Sequence, residues 1–319
     1  MDMIFYWIFG VLSFLLLVVL AFAYVCYRLV FYKTKTKPLG ADEYEIPEGE
    51  EYETYREEII ASIKKGRETA HEAVCTKSFD GLTLCGNYYE CRAGAPLEIL
   101  FHGYRGNSER DLSAGVERCF ALGRNALIVD HRASGASEGK TITFGILERR
   151  DCLCWVDFAI RRFGDDVKII LTGISMGAAT VMMAVGEELP KNVVCALADC
   201  GYSSSKEIIK KVMKDMKLPA DLLYPFVRLG AKLFGRFELE ETSPMEAVKR
   251  AKIPVIFIHG EADGFVPCDM SRSLYESCVS QKKLLTVPEA GHGTAYLKDG
   301  EAYLNALRDF ERECGFLNS

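Results

Sequence analysis

The chain has 319 residues, 49% hydrophobic and 26% charged, with a formal net charge of -6. A chain of this size and make-up can bury a substantial core and is neither disordered nor fibrous. Its lysines are scattered instead of forming a basic stripe, which argues against a nucleic-acid partner.

At the amino terminus, no charged side chain occurs from Met3 to Tyr27. That run is longer than the ~20 residues needed to cross a hydrocarbon core as a helix. It lacks the positive start, short apolar stretch and small-residue cleavage site of a removable signal peptide, so a retained transmembrane anchor is expected over residues 1–32. Arg28, Lys33, Lys35 and Lys37 follow it, which by the positive-inside tendency places the remainder on the cytoplasmic side. Residues 33–72, rich in Glu and Lys, read as a charged linker leading into an amphipathic helix.

From residue 73 onward the pattern changes. "AVCTKSFDGLTLCGNYYE" reads as two strands turning at Asp80-Gly81. "PLEILFHG", "NALIVD", "DVKIILTG", "VVCALAD", "IPVIFIHG" and "KKLLTVP" are further short strands. Helical segments separate most of them: Glu109 to Leu122, about 145 to 163, Gly177 to Glu188, Asp269 to Ser280 and Ala302 to Glu313. Apolar strands alternating with helices predict an α/β fold, a mostly parallel sheet covered on both faces. The interval 201–250 supplies helices but no strand, and reads as a short lid inserted before the last strands of a domain spanning 73–319.

Twelve cysteines are spread through the chain, several in apolar runs, where a thiol is a small buried hydrophobe. A cytoplasmic domain of this size needs no disulfide staples, so mostly free thiols are expected. Cys152 and Cys154 lack a second pair or a nearby His at zinc-site spacing, and no metal or cofactor is implied.

The chemistry centres on Gly173-Ile174-Ser175-Met176-Gly177, which follows a strand and opens a helix. In that context G-x-S-x-G is a nucleophile elbow, whose glycines make room for a strained turn. A serine hydroxyl needs a base and an orienting acid. Of the five histidines, His292 lies in a glycine-flanked loop after the last strand. Asp263 lies just beyond the strand ending at His259. Both occupy strand carboxyl ends, where open parallel sheets collect their active residues, and Ser175, Asp263, His292 follow the Ser, acid, His chain order. Taken singly, Asp263 could be a turn or capping carboxylate and His292 a surface turn residue, but their joint placement favours the catalytic reading. Asp199 is the rival acid, and Cys200 a nucleophile candidate without an elbow. The backbone amides of Tyr104, in "HGYRG", and Met176 are the candidate oxyanion donors, with His102 shaping the former's loop.

The pieces "HGYRG", "DHRASGASEG", "GISMG", "SPMEAVKRAKIPVIFIHGEADGFVP" and "GHG" resemble an α/β-hydrolase of the serine aminopeptidase or prolyl-oligopeptidase-like lineage, which also contains small esterases and lipid thioesterases. The resemblance runs from about Ala73 to the end. It implies a catalytic set of Ser175, Asp263 and His292, with oxyanion amides at Tyr104 and Met176. Ala133 and Ser134 stand where that lineage often has a glycine. The implied activity is hydrolysis of an ester or thioester through an acyl-enzyme, on a small substrate for which a lipid-like character is one expectation, since the lid carries Leu218, Leu222, Leu223, Phe226, Leu229 and Leu233 that can line an acyl pocket or simply pack on the sheet. Two alternatives stand beside it. A serine peptidase acting on short peptides would want carboxylates at the site's mouth, with Asp221 and Glu238 of the lid as candidates, and a membrane-tethered binding module would need no triad.

Overall fold

Each of the eight expected strands forms. The computed structural model describes residues 2–33, 40 and 42–315; Lys35 and Lys37 of the basic cluster lie outside the described residues. In chain order the elements are α1 (Asp2–Val30), α2 (Glu50–Glu53), α3 (Arg56–Glu68), β1 (Glu72–Lys77), β2 (Thr83–Tyr89), β3 (Leu97–Phe101), α4 (Ser108–Ala121), β4 (Asn125–Val129), α5 (Glu148–Phe163), β5 (Ile169–Ile174), α6 (Met176–Val185) and β6 (Val193–Asp199). After β6 come α7 (Ser205–Asp215), α8 (Ala220–Gly230), a π-helical turn (Ala231–Gly235) and α9 (Pro244–Val248). The chain closes with β7 (Val255–Gly260), α10 (Cys268–Ser277), β8 (Lys282–Val287), α11 (Ala295–Lys298) and α12 (Gly300–Cys314).

The strands form one sheet in the order β1-β2-β4-β3-β5-β6-β7-β8. β2 runs antiparallel to both β1 and β4, and every later pairing is parallel. This is the α/β-hydrolase arrangement. β3 and β4 are buried at every position, as expected of strands covered on both faces. Along β5 and β7 the side chains alternate between two cores. Ile169, Leu171, Val255 and Phe257 pack with Trp155, Val181, Val248 and Leu274 from α5, α6, α9 and α10. Ile170, Ile256 and Ile258 pack with Tyr303, Leu307 and Phe310 from α12. The two-residue period of a strand makes that division, and a register slip of one residue would exchange the faces.

Several charged side chains are buried among the described residues. Glu98 on β3 is fully buried, where burial alone would raise its pKa, but Arg118 and Arg124, aided by Thr172 Oγ1 at 2.7 Å, hold it down to about 2. Removing one partner of such a pair leaves an uncompensated buried charge, a cost of about 3–5 kcal/mol. The cluster ties α4 and the strand β3 together through Arg118, whose Nη1 also donates to Tyr303 of α12 at 3.2 Å.

Ten of the cysteines are free, and Cys75 and Cys85, directly opposite one another across β1 and β2, are joined by a disulfide. The helical interval between β6 and β7 packs α7 on α8 and α8 on α1. α1 is long and apolar enough to cross a membrane, and its most apolar window is only 6% buried against the rest of the chain. Its last turns are different: Ala23, Cys26 and Tyr27 are buried, followed by Phe31, which stacks edge-on against Phe144 and Phe237.

Candidate active site

The sheet's carboxyl edge brings four loops together. β5 ends at Ile174, and Ser175 follows at φ 56° and ψ -114° before α6 begins. A non-glycine residue held there is strained by about 1–3 kcal/mol, and the strain persists because the neighbours leave no alternative. A Cβ on Gly173 would lie 2.1 Å from the backbone of Gly177, and one on Gly177 would lie 2.0 Å from the Phe101 carbonyl oxygen. Both glycines of the pentapeptide are therefore steric requirements of the turn.

His292, on the loop after β8, places Nε2 2.9 Å from Ser175 Oγ. Its Nδ1 lies 2.7 Å from Asp263 Oδ2. Asp263, on the loop after β7, uses Oδ1 to accept the amides of Phe265 at 2.9 Å and Val266 at 2.7 Å. His259 Nε2 approaches Oδ2 from below at 3.2 Å, while its Nδ1 meets Ser271 Oγ at 2.6 Å. Burial alone would raise the Asp263 carboxyl, but hydrogen bonds from His259 and His292, the charge of His292 and the Val266 amide outweigh it and hold the group well below the usual carboxylate range. Asp263 is thus an anion fixed behind the imidazole. The Phe265 ring stands edge-on to His292, with centroids 5.1 Å apart, and limits the tilt of its imidazole.

Asp199 takes a different place. Its Oδ2 accepts the Tyr303 hydroxyl at 2.9 Å, and no hydrogen bond joins it to His292 among the described residues. Burial pushes its carboxyl up, which suits a structural acid less in demand as an anion. Cys200 lies beside the site, fully buried, with its thiol pushed well above the ordinary range by burial and by Asp199 and Asp263. Cys200, Asp263 and His292 offer potential metal-ligand atoms within 4.8 Å of one another. The fit is poor, because a ligating thiol must ionise and the two other groups already bond each other.

Met176 follows Ser175 at the start of α6, and Tyr104 lies with Ser175 among the residues lining one cavity. A Cβ on Gly103 would lie 3.6 Å from Ser175 Cβ, so the loop after β3 passes directly beside the serine. Its shape is set from beneath. Asp111 Oδ2 accepts the Gly103 amide at 3.0 Å; buried His102 bonds Gly103 O through Nδ1 at 2.7 Å and accepts the His131 amide at Nε2 at 3.0 Å. Burial lowers the pKa of both His102 and His131, favouring the neutral rings that this pattern requires. Ala133 of the following loop has φ 62°, a left-handed conformation at a position where a glycine would be relaxed.

A cavity of about 770 Å³ opens over Ser175 and His292. Ile59, Ile63, Leu100, Leu112, Ile174 and Leu297 line it, and none of the lid leucines does. Asp221 and Glu238 of the lid are paired instead with Lys210 and Arg228 on the surface. Besides Asp111 and Asp199, the carboxylates lining the cavity come from the segment before α3: Glu45, Glu48 and Glu51, with Tyr52 beside them. Glu45 is held by Arg110 and Asn107, and the Tyr52 hydroxyl lies 3.6 Å from where a Cβ on Gly293, next to His292, would stand. The composition of that segment signals only a charged linker. Its path over the site depends on tertiary contacts that have no local sequence signature, as does the second histidine behind Asp263.

Comparison with known proteins agrees with this architecture. The chain is similar to the uncharacterized protein YqkD of Bacillus subtilis, 29% identical over 213 residues covering 66% of this chain and 70% of that one. It is 26% identical to protein bem46 of Schizosaccharomyces pombe over 68% of each chain. Among solved structures, the esterase PF2001 of Pyrococcus furiosus superposes with a TM-score of 0.66 at 21% identity, covering 89% of this chain and 98% of that one. Est1E of Butyrivibrio proteoclasticus, with ferulic acid bound, superposes with a TM-score of 0.58 at 21% identity over 75% and 98%. At such identities the structural likeness concerns the fold. The sequence profile of the prolyl oligopeptidase family matches residues 144–315, which spans β5 to α12 and therefore the loops bearing Ser175, Asp263 and His292; the chain is an α/β-hydrolase belonging to that family.

Proposed function

We propose that the protein is a serine hydrolase that cleaves small carboxylic esters or thioesters through an acyl-enzyme. Ser175 Oγ attacks the carbonyl carbon, and His292 Nε2 takes its proton and returns it to the leaving group. Asp263 holds the imidazole in the tautomer with Nδ1–H and stabilises the imidazolium. The amides of Tyr104 and Met176 receive the oxyanion, and water then repeats the path from the other side of the carbonyl. The observation that carries this reading is the continuous line from Ser175 Oγ through His292 to Asp263, at 2.9 and 2.7 Å, beginning at a residue held in a strained turn. A tethered binding module has no physical need to keep that strain.

The apolar wall of the cavity supports an acyl group as the bound portion, and one of the structural neighbours, PF2001, is named as an esterase. A serine aminopeptidase remains the second reading, because Glu48 and Glu51 stand at the cavity, where a substrate ammonium would be held. In both readings the chain divides into an anchor (1–32), a charged segment (33–72) and the hydrolase unit with its lid at about 201–250 (73–319), with α1 in the membrane and the hydrolase unit on the cytoplasmic face. Fluorophosphonate labelling of wild type and Ser175→Ala, followed by turnover of a panel of acyl esters, acyl thioesters and aminoacyl amides, tests both. Loss of labelling in the variant with preferred turnover of esters or thioesters is expected. Labelling that survives the substitution removes the mechanism, and faster cleavage of aminoacyl amides selects the peptidase.

A further inference from the structure

The lid does not line the substrate cavity, yet it carries exposed apolar side chains. Of seven large hydrophobic residues exposed beyond α1 among the described residues, four lie on the lid: Met216 (66%), Leu218 (41%), Leu222 (67%) and Leu233. Single exposed apolar residues need no explanation, but a cluster of them at the tip of a helical hairpin does.

The packing of α8 on α1 supplies the direction in which that tip points. The rings of Phe22 and Phe226 meet edge to face with centroids 4.9 Å apart. A Cβ on Gly230 would lie 2.5 Å from Ala23 O and 3.1 Å from Tyr27 N, so the glycine is what lets the two helices touch. Phe234, one turn further, stacks against Tyr24 at 5.1 Å and Tyr27 at 6.1 Å. Residue numbers rise together in the two helices, so they run side by side in the same direction. The amino-terminal end of α8 therefore points toward the apolar, unburied part of α1.

Depth follows from the helical rise. About 20 residues at 1.5 Å each span a ~30 Å hydrocarbon core. Counted from Met3, where the uncharged run begins, such a span ends near Phe22, the residue at which contact with α8 is made. Leu222 precedes Phe226 by one turn, about 5–6 Å, and so lies below that boundary. The turn joining α7 to α8 bears Met216 and Leu218, and it is flanked by Lys214 and Lys217, both exposed and without an ion-pair partner among the described residues. Apolar tips with lysines at their rim bury the tip among acyl chains while the ammonium groups reach the headgroups.

We infer that the tip of the lid, Met216 to Leu222, is a second membrane contact, seated in the cytoplasmic-side interface of a bilayer containing anionic lipid, next to the end of α1. This rests on the reading of α1 as a membrane span. It goes beyond a tether: the hydrolase unit is docked at a fixed height. Tyr104 donates its hydroxyl to Val30 O at 2.7 Å, and Arg105 Nη2 donates to Leu29 O at 2.6 Å. Val30 is eight residues past Phe22, so the loop beside Ser175 is held roughly 12 Å above the hydrocarbon edge along the helix axis.

The test uses the full chain reconstituted into phosphatidylcholine–phosphatidylglycerol vesicles whose acyl chains carry bromine, a contact quencher of indole fluorescence. The two native tryptophans serve as controls, since Trp7 lies in the span and Trp155 is buried in the hydrolase core. Leu222→Trp is made in a Trp7→Phe background, with the Trp7→Phe protein as reference. Quenching of the added indole by about two-fold or more relative to unbrominated vesicles is expected, as for a side chain among acyl chains. If the added indole is unquenched while Trp7 of the wild type is quenched, the lid contact fails and the span stands. If neither is quenched, both fail. Fluorophosphonate labelling at the wild-type level shows that the variant has folded; should Leu222→Trp lose it, Met216→Trp at the turn repeats the measurement.

Discussion

Two segments lie over or beside the carboxyl edge of the sheet, and they divide the work differently from what their sequences suggest. The lid between β6 and β7 is amphipathic and leucine-rich, yet its apolar residues pack on α1 and in a cluster with Ile146, Met176 and Ala179, or stay exposed, and none lines the cavity. The acidic segment Glu45 to Tyr52 looks like a tether, yet it lines the cavity and lies against the loop that bears His292. The difference teaches that proximity in sequence to the catalytic strands does not determine which insertion shapes specificity. What decides is which segment is pinned to the loop after β3: Arg110, adjacent to the Asp111 that holds the Gly103 amide, also holds Glu45.

The comparison of the two segments is meaningful only if both are measured against the proposed chemistry, and the largest expected effects lie there. Ser175→Ala is expected to lower kcat by a factor of about 10³ or more on any substrate either segment admits. Asp263→Asn keeps the shape but forfeits the anion that fixes the tautomer, and a loss of about 10⁴ in kcat is expected. The same variant has a stability signature. Burial opposes the Asp263 charge, but its hydrogen bonds win and depress its pKa, so the carboxylate contributes stability that is complete above about pH 4 and lost as the pH falls through its lower folded value. Melting temperatures of wild type and Asp263→Asn should therefore differ at neutral pH and converge in acid. A constant gap would mean that the carboxylate charge is not what holds the loop.

The fold was legible because its signals are local and repeated. Eight apolar runs bounded by turn residues became β1 to β8, and helices fell between them as their lengths required. Ser175 was legible for a related reason: the two glycines are demanded by contacts within five residues of each other. The pairing of Asp263 with His292 bridges 29 residues and was readable only through their shared position at strand carboxyl ends. The neighbours that tune the site were not legible. His259 reads as the last residue of a buried strand, Asp111 as one more acid in the first turn of α4, and Tyr52 as a residue of a linker; each acquires its role only when distant segments meet.

The acidic segment can be separated from the lid by charge. Glu48→Gln and Glu51→Gln together retain size and polarity while removing two negative charges from the mouth. Under the peptidase reading, KM for aminoacyl amides should rise by about ten-fold, the value of roughly 1.4 kcal/mol for lost pairing with an ammonium, with kcat little changed. Under the ester reading, KM for neutral acyl esters should stay within about two-fold. An equal rise for neutral and cationic substrates would show that the segment matters by its position and not by its charge.

The smallest effect is expected from the lid's contact with α1, and it discriminates most sharply between the two segments. Phe226→Ala removes one ring of an edge-to-face pair without touching the cavity. The pair contributes about 0.5–1.5 kcal/mol beyond its buried area, so a modest fall in the melting temperature of the detergent-solubilised chain is expected. Turnover of a water-soluble acyl ester should be unchanged, because no residue of the lid is among those lining the cavity. A rise in KM for that soluble ester, with stability intact, would return the lid to the substrate site and reverse the assignment of the two segments.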